Sequence, residues 1–257
     1  MAKGLVDLKR EDIQSTAGYG IPCLYTLESG QRAVVLVSHG FGSNKTSSTA
    51  RALEQTMPGC GAGVVAYDFP GHGDSPVGGE MLTVQRCLED LHAVERFVRT
   101  LAPQAEICYF GSSFGAYITL LYLSLCEHAG SRAFLRSAAV EMPRVFGPAT
   151  PQQEEQMARQ GYIEFGAQYE YERPLHLTRA FFESLQAHDV FTCWKPGAGR
   201  VCMIHGDADT VASYEAAQQF ARLSGAEFIT VPGGDHRLSG PGMPETVMRS
   251  AARFFFG

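Results

Sequence analysis

The sequence predicts an α/β fold with a mostly parallel central sheet and helices on both faces. Three observations carry this prediction: short continuous apolar runs, segments of helical period between them, and a glycine-flanked serine at a strand-to-helix junction. Continuous rather than alternating hydrophobicity implies a strand covered on both faces, as in a parallel sheet. The runs are Ala33 to Ser38, Gly63 to Asp68, Glu106 to Phe110, Phe134 to Val140, Arg200 to Ile204 and Glu227 to Val231. In Thr83 to Leu101 the apolar positions Val84, Leu88, Leu91, Val94, Val98 and Leu101 fall three or four apart, Thr83 can cap the start, and Pro103 lies just beyond. Thr46 to Thr56, Ala116 to Cys126, Ser213 to Leu223 and Pro244 to Phe256 supply further helices, and strand-helix alternation of this kind winds a parallel sheet. A stretch from roughly Leu5 to Leu27 is expected to add antiparallel edge strands.

The alternation fails from Met142 to Pro196, where the composition turns to Gln, Glu, Arg and aromatics, with Pro143, Pro148, Pro151, Pro174 and Pro196 punctuating it. Residues 1–141 and 197–257 therefore read as the core and 142–196 as an inserted cap, between a strand ending near Val140 and one starting near Arg200. Structureless loops of such length are uncommon in compact domains, so helices are expected at Gln152 to Arg159 and Leu177 to Ala187, with an irregular or hairpin piece between them. Phe146, Tyr162, Phe165, Tyr169, Tyr171, Phe181, Phe182, Phe191 and Trp194 make the segment richer in aromatics than the chain average. Such rings serve either a small core of the segment's own or a roof over a site.

Composition narrows the function classes. At 257 residues and 27.9 kDa the chain suits one large domain, or a domain with an insertion. Its formal net charge of -6 and pI near 5.8 leave no basic footprint, so nucleic acid is not an expected partner. The seven cysteines are scattered singly with no CxxC pair, which points to reduced thiols. Lys3, Asp7, Lys9, Arg10, Glu11 and Asp12 break any apolar run at the start before a secretory signal could form, so a cytoplasmic location is expected. Ile107 to Cys126 is uncharged and long enough to cross a bilayer, but Gly111-Ser112-Ser113-Phe114-Gly115 interrupts it. It reads as a buried strand and a buried helix, and no membrane association is expected.

That interruption matches G-x-S-x-G, a weak signal as a string and a stronger one between a strand and a helix. The turn needs glycine on both sides because the backbone passes close to neighbouring elements, and it lifts the Ser113 hydroxyl clear of the sheet edge. Ser112 is expected to satisfy local backbone groups. A serine hydroxyl is too weakly acidic to attack unaided and needs a base, itself oriented by an acid. His205-Gly206-Asp207-Ala208-Asp209 follows one strand and Gly233-Gly234-Asp235-His236 the next, and parallel strands deliver both loops to the edge that carries Ser113.

With His39-Gly40-Phe41 and Asp68-Phe69-Pro70-Gly71-His72-Gly73-Asp74-Ser75, these blocks make the chain resemble the α/β-hydrolase superfamily, in particular capped esterases similar to bacterial cinnamoyl and feruloyl esterases. The resemblance covers nearly the whole chain and implies an α/β-hydrolase fold and a cofactor-free serine esterase. Ser113 would be the nucleophile, His236 the base and Asp209, four residues after His205, the acid. Asp207 is then expected to fix its loop, and Asp235 adjoins His236 too closely in sequence to orient it. The backbone N–H groups of Phe41 and Phe114 would form the oxyanion hole, and His39 would brace its turn. Two departures stand out: Ser112 where such proteins often have His, and Phe114 where Gln or Met is commoner, the latter expected to alter substrate preference. A metal at His72, Asp74, His205, Asp207 and Asp209 is not expected, since no dedicated ligand spacing is present, and Gly71-His72-Gly73 and Gly59-Cys60-Gly61-Ala62-Gly63 do not make a dinucleotide loop. The expected substrate is a small short-chain or aryl-acid ester, with a homodimer as the assembly entertained. A peptidase or thioesterase on the same scaffold is the alternative enzyme, and a non-catalytic binding protein the alternative class.

Overall fold

The computed structural model describes residues 8–27, 30–147, 149–166 and 173–257. Lys3, Asp7, Pro148, Tyr169, Tyr171 and the start of the predicted N-terminal strand region lie outside the described residues. An eight-stranded sheet runs in the order β1 (Lys9–Gln14), β2 (Gly20–Tyr25), β4 (Ala62–Tyr67), β3 (Ala33–Ser38), β5 (Glu106–Ser112), β6 (Arg132–Arg136), β9 (Arg200–Gly206) and β10 (Glu227–Val231). β1 and β2 pair antiparallel at one edge, and every pair from β4 to β10 is parallel. The chain has the α/β-hydrolase fold.

The continuous apolar runs are explained by helices on both faces. Along β3, Val34 and Leu36 enter one core with residues of α2 (Val84–Leu101), α3 (Phe114–Leu125) and α8 (Tyr214–Ser224). Ala33, Val35 and Val37 enter the other with α1 (Ser48–Thr56) and α9 (Met243–Phe256). Helix starts follow capping chemistry: the Ser47, Thr83 and Ser213 hydroxyls accept N–H bonds from Ala50, Arg86 and Ala216, the first turns of α1, α2 and α8. Among the described residues, no helix is long and apolar enough to cross a membrane.

Two predicted boundaries are corrected. β6 ends at Arg136 rather than near Val140, because Ser137 turns into the left-handed region at φ 49°. Ala138, Ala139 and Val140 stay apolar because they are buried beside the elbow, where the Ala139 N–H points to the Ser113 carbonyl. Residues 142–196 carry α4 (Met142–Phe146), α5 (Pro151–Gln160), β7 (Tyr162–Phe165), β8 (Leu175–Thr178), α6 (Arg179–Gln186) and α7 (Val190–Cys193). Leu177 and Thr178, read as the start of a helix, belong to β8, which pairs antiparallel with β7 in a sheet separate from the main one. The helix begins only at Arg179, since Leu175 and Leu177 alternate inward with strand period and share the burial that a helical face would have claimed.

Candidate functional site

Ser113 occupies the junction of β5 and α3 at φ 50° and ψ -111°, a conformation that a residue with a side chain adopts only under constraint. The flanking glycines supply the room. A Cβ on Gly115 would lie 2.1 Å from the Ser38 carbonyl oxygen, and one on Gly111 2.6 Å from the Ala116 Cα. Ser112 accepts a hydrogen bond from Arg136 Nε at 3.2 Å, a side chain rather than the backbone partner expected for it.

β9 and β10 bring the other two groups to the same sheet edge. His236 Nε2 lies 3.0 Å from Ser113 Oγ, and His236 Nδ1 lies 2.8 Å from Asp209 Oδ2. Because an ionised carboxylate can only accept, Nδ1 carries the proton and Nε2 is left to accept from the Ser113 hydroxyl. Asp209 is fully buried and saturated: Oδ1 accepts the Val211 and Ala212 N–H groups at 2.8 and 2.9 Å, and Oδ2 also accepts from His205 Nε2 at 3.0 Å. Burial alone would raise its pKa, but the bonds from His205, His236 and Ala212 outweigh it and hold the carboxyl well below the usual range. His205, itself fully buried, enters the sequence reading only as a motif marker, and its contact with the Asp209 carboxylate is what the structure adds. The signal was its spacing of four residues ahead of Asp209.

The alternatives lie elsewhere. Asp207 accepts the Gly233 N–H at 2.6 Å and so ties the β9 loop to the β10 loop, while Asp235 accepts the N–H and O–H of Ser239 at 3.1 Å each. His39 Nδ1 donates to the Gly40 carbonyl at 2.8 Å and its Nε2 accepts the Phe69 N–H at 3.1 Å, bracing the turn before Phe41. Burial lowers the His39 pKa to about 4 and that of His72 to about 3. Asp74 is paired with Lys45 at 2.7 Å and with Arg10 at 3.1 Å. Among the described residues no group of three or more His, Cys, Asp or Glu side chains is arranged to hold a metal ion. The Phe41 N–H has no acceptor among the described residues, and Phe114, first residue of α3, lies where a helix leaves its N–H groups free.

A cavity of about 1080 Å³ opens over Ser113 and His236, and Phe146, Ile163, Phe165, Leu175, Leu177 and Phe182 of residues 142–196 line it. Phe41 meets Phe146, Phe114 and Phe165 edge-on, with ring centroids 5.1, 5.5 and 5.5 Å apart. The arrangement offers an oriented hydroxyl, a base, a buried acid and an apolar aromatic wall.

No curated protein sequence matches the chain. Among solved structures, it is similar to a putative hydrolase from Agrobacterium vitis S4, with a TM-score of 0.81 and 23% identity over 98% of this chain and 99% of that one. It is similar to Est1E from Butyrivibrio proteoclasticus, solved with ferulic acid bound, with a TM-score of 0.77 and 20% identity over 95% and 97% of the two chains. Alpha/beta hydrolase domain-containing protein 10 from mouse aligns with a TM-score of 0.77 and 16% identity over 96% and 98%. At these identities the likeness is one of fold. The model of one sequence family, described as serine aminopeptidase S33, matches residues 29–166, more than half of the chain, and the protein belongs to this hydrolase family.

Proposed function

We propose that this protein is a serine hydrolase of carboxylic esters, acting on short-chain or aryl-acid esters through an acyl-enzyme on Ser113. The observation that carries the reading is the hydrogen-bonded chain from Asp209 through His236 to a serine held on a strained turn. Ser113 Oγ attacks the ester carbonyl carbon while its proton passes to His236 Nε2, and Asp209 stabilises the imidazolium so formed. The Phe41 and Phe114 N–H groups receive the developing oxyanion, fixed before reaction at no reorganisation cost. Collapse of the tetrahedral intermediate expels the alcohol, which takes the proton from His236, and water then repeats the sequence to release the acid. Residues 142–196 act as the cap, and the aromatic wall favours an aryl or short acyl group over a long alkyl chain.

The family's description raises an aminopeptidase as the second reading. Such an enzyme needs a free carboxylate for the substrate's ammonium group. The charged side chains among the described cavity-lining residues are Arg136, Arg173, Arg237 and Asp235, and Asp235 is engaged by Ser239, which favours the ester. The test is a panel of p-nitrophenyl acyl esters and methyl hydroxycinnamates together with labelling by a fluorophosphonate. Ser113→Ala is expected to abolish turnover and labelling while keeping the fold, and Ser112→Ala to cost little. Faster cleavage of C12 to C16 esters than of C2 to C4 or hydroxycinnamoyl esters defeats the substrate assignment, and absence of labelling defeats the serine mechanism.

A further inference from the structure

In a chain of net charge -6, the cavity over Ser113 is lined, among the described residues, by three arginines and a single aspartate. Its three arginines are differently placed. Arg173 is spent on the Ser75 and Val77 carbonyls, and Arg237 is exposed. Arg136 is the last residue of β6, in register beside Ser112, and its own carbonyl takes the Ser113 N–H at 3.0 Å. Its guanidinium donates from Nε to Ser112 Oγ at 3.2 Å and from Nη1 to the Arg237 carbonyl at 2.6 Å, both uncharged acceptors. Among the described residues Nη2 has no acceptor and no carboxylate is paired with this guanidinium. Asp235 lines the same cavity but is turned to Ser239, and Asp209 already holds four donors. Burial pulls the Arg136 pKa down to about 10, so the group remains a cation at neutral pH.

The Arg136 side chain is half-buried, its hydrogen-bond partners are neutral, and the Asp235 and Asp209 charges act on it without pairing with it, so an anion brought against the guanidinium gains a charge-assisted pair. The fork of N–H groups that remains matches a carboxylate in two parallel bonds. We infer that Arg136 seats a carboxylate carried by the substrate, so that the preferred esters are acidic ones with one acid group esterified and another free. The inference rests on the serine-esterase reading and names its substrate class. Aromatic rings on one wall and a cation beside the nucleophile together describe an aromatic or short dicarboxylic framework rather than a neutral lipid.

The free carboxylate could lie on the alcohol or on the acyl side of the scissile bond, and two substrate pairs separate these cases. The alcohol side is read by 4-acetoxybenzoate against its methyl ester, the acyl side by monomethyl against dimethyl terephthalate. Each kcat/KM is normalised to the same ester's rate with hydroxide. In one pair the acid is expected to be favoured by about tenfold or more, the scale of a charge-assisted pair. Arg136→Gln is expected to collapse that preference, and Arg136→Lys to restore part of it. If the neutral member wins in both pairs, or if Arg136→Gln slows both members alike, Arg136 only braces the His236 loop and the inference falls. Should Arg136→Gln fail to fold, inhibition of wild-type neutral-ester turnover decides: benzoate must inhibit more strongly than benzamide, and equal or weaker inhibition overturns the seat. Failure to cleave any of the four esters or to react with a fluorophosphonate removes the esterase reading and this inference with it, whereas cleavage without acid preference removes the inference alone.

Discussion

At Asp209 the chemistry is set by where each oxygen points. Oδ1 is fixed by two backbone N–H groups, so an Asn at this position keeps its carbonyl there and turns its NH₂ toward His236 Nδ1 and His205 Nε2, both of which are donors. The imidazole of His236 then has to carry its proton on Nε2, where it cannot accept one from Ser113. Asp209→Asn is accordingly expected to lower kcat by about 10³- to 10⁴-fold with little change in fold. Asp207→Asn weakens only the bond to the Gly233 N–H and is expected to cost about 1 kcal/mol of stability while kcat stays near wild type. Steady-state kinetics and urea unfolding of the two variants check both, and equal losses of kcat would leave the assignment without support. The convergence of Ser113, Asp209 and His236 is legible in the sequence because each follows a strand and sits among glycines that mark a tight turn. The places of Arg136 and His205 are not. Arg136 lies inside the run Phe134 to Val140 with no motif around it, and its neighbour Ser112 is set by cross-strand register, which one strand's sequence does not contain.

Among the elements, the strands with uninterrupted apolar runs are the legible ones, since burial on both faces leaves the strongest pattern. The end of β6 and the boundary between β8 and α6 are not, because Ala138 to Val140 and Leu175 to Leu177 are apolar for reasons of tertiary contact rather than local period. The Asp68 to Ser75 loop is recognisable as a motif, yet its anchor lies outside it. Buried Lys45 donates from Nζ to Asp68 Oδ2 at 2.6 Å and from its backbone N–H to Oδ1 at 2.7 Å, and the Asp74 N–H also reaches Oδ2 at 2.9 Å. Lys45→Met keeps the aliphatic stem but leaves the Asp68 carboxylate buried without a cation. Removing one partner of a buried pair typically costs about 3–5 kcal/mol, and that loss is expected in urea unfolding of this variant. A loss under about 1 kcal/mol would mean that backbone donors alone satisfy Asp68.

For the molecule as a whole, acid stability is governed by two histidines the fold keeps neutral. His39 and His72 titrate near 4 and 3 when folded, against about 6.5 for an unfolded histidine. Below about pH 6.5 the unfolded chain binds protons that the folded one refuses, so their contribution is complete at higher pH and is lost as pH falls toward the folded values. Each should cost on the order of 2 kcal/mol by pH 5, enough to lower Tm by roughly 10 °C between pH 7.5 and 5. Burial raises the carboxyl pKa of Glu54 and Asp90, which work in the opposite sense at lower pH, and Asp209 adds its own loss only below the ordinary carboxylate range. Differential scanning calorimetry across that interval is the measurement, and a flat Tm would show that these rings gain solvent before they gain protons. The order of the sheet has a kinetic counterpart. Ser113 directly follows the central strand β5, but the proposed acid Asp209 and base His236 come in the loops after β9 and β10, and 123 positions separate Ser113 from His236. On the proposed mechanism, a chain without those last strands holds Ser113 apart from the groups that would activate it, and the three side chains meet only when β9 and β10 dock. Recovery of hydrolysis during refolding is thus a clock for the docking of the last strands, while the fluorescence of the single Trp194, packed edge-on against Phe220 of α8, times a different event.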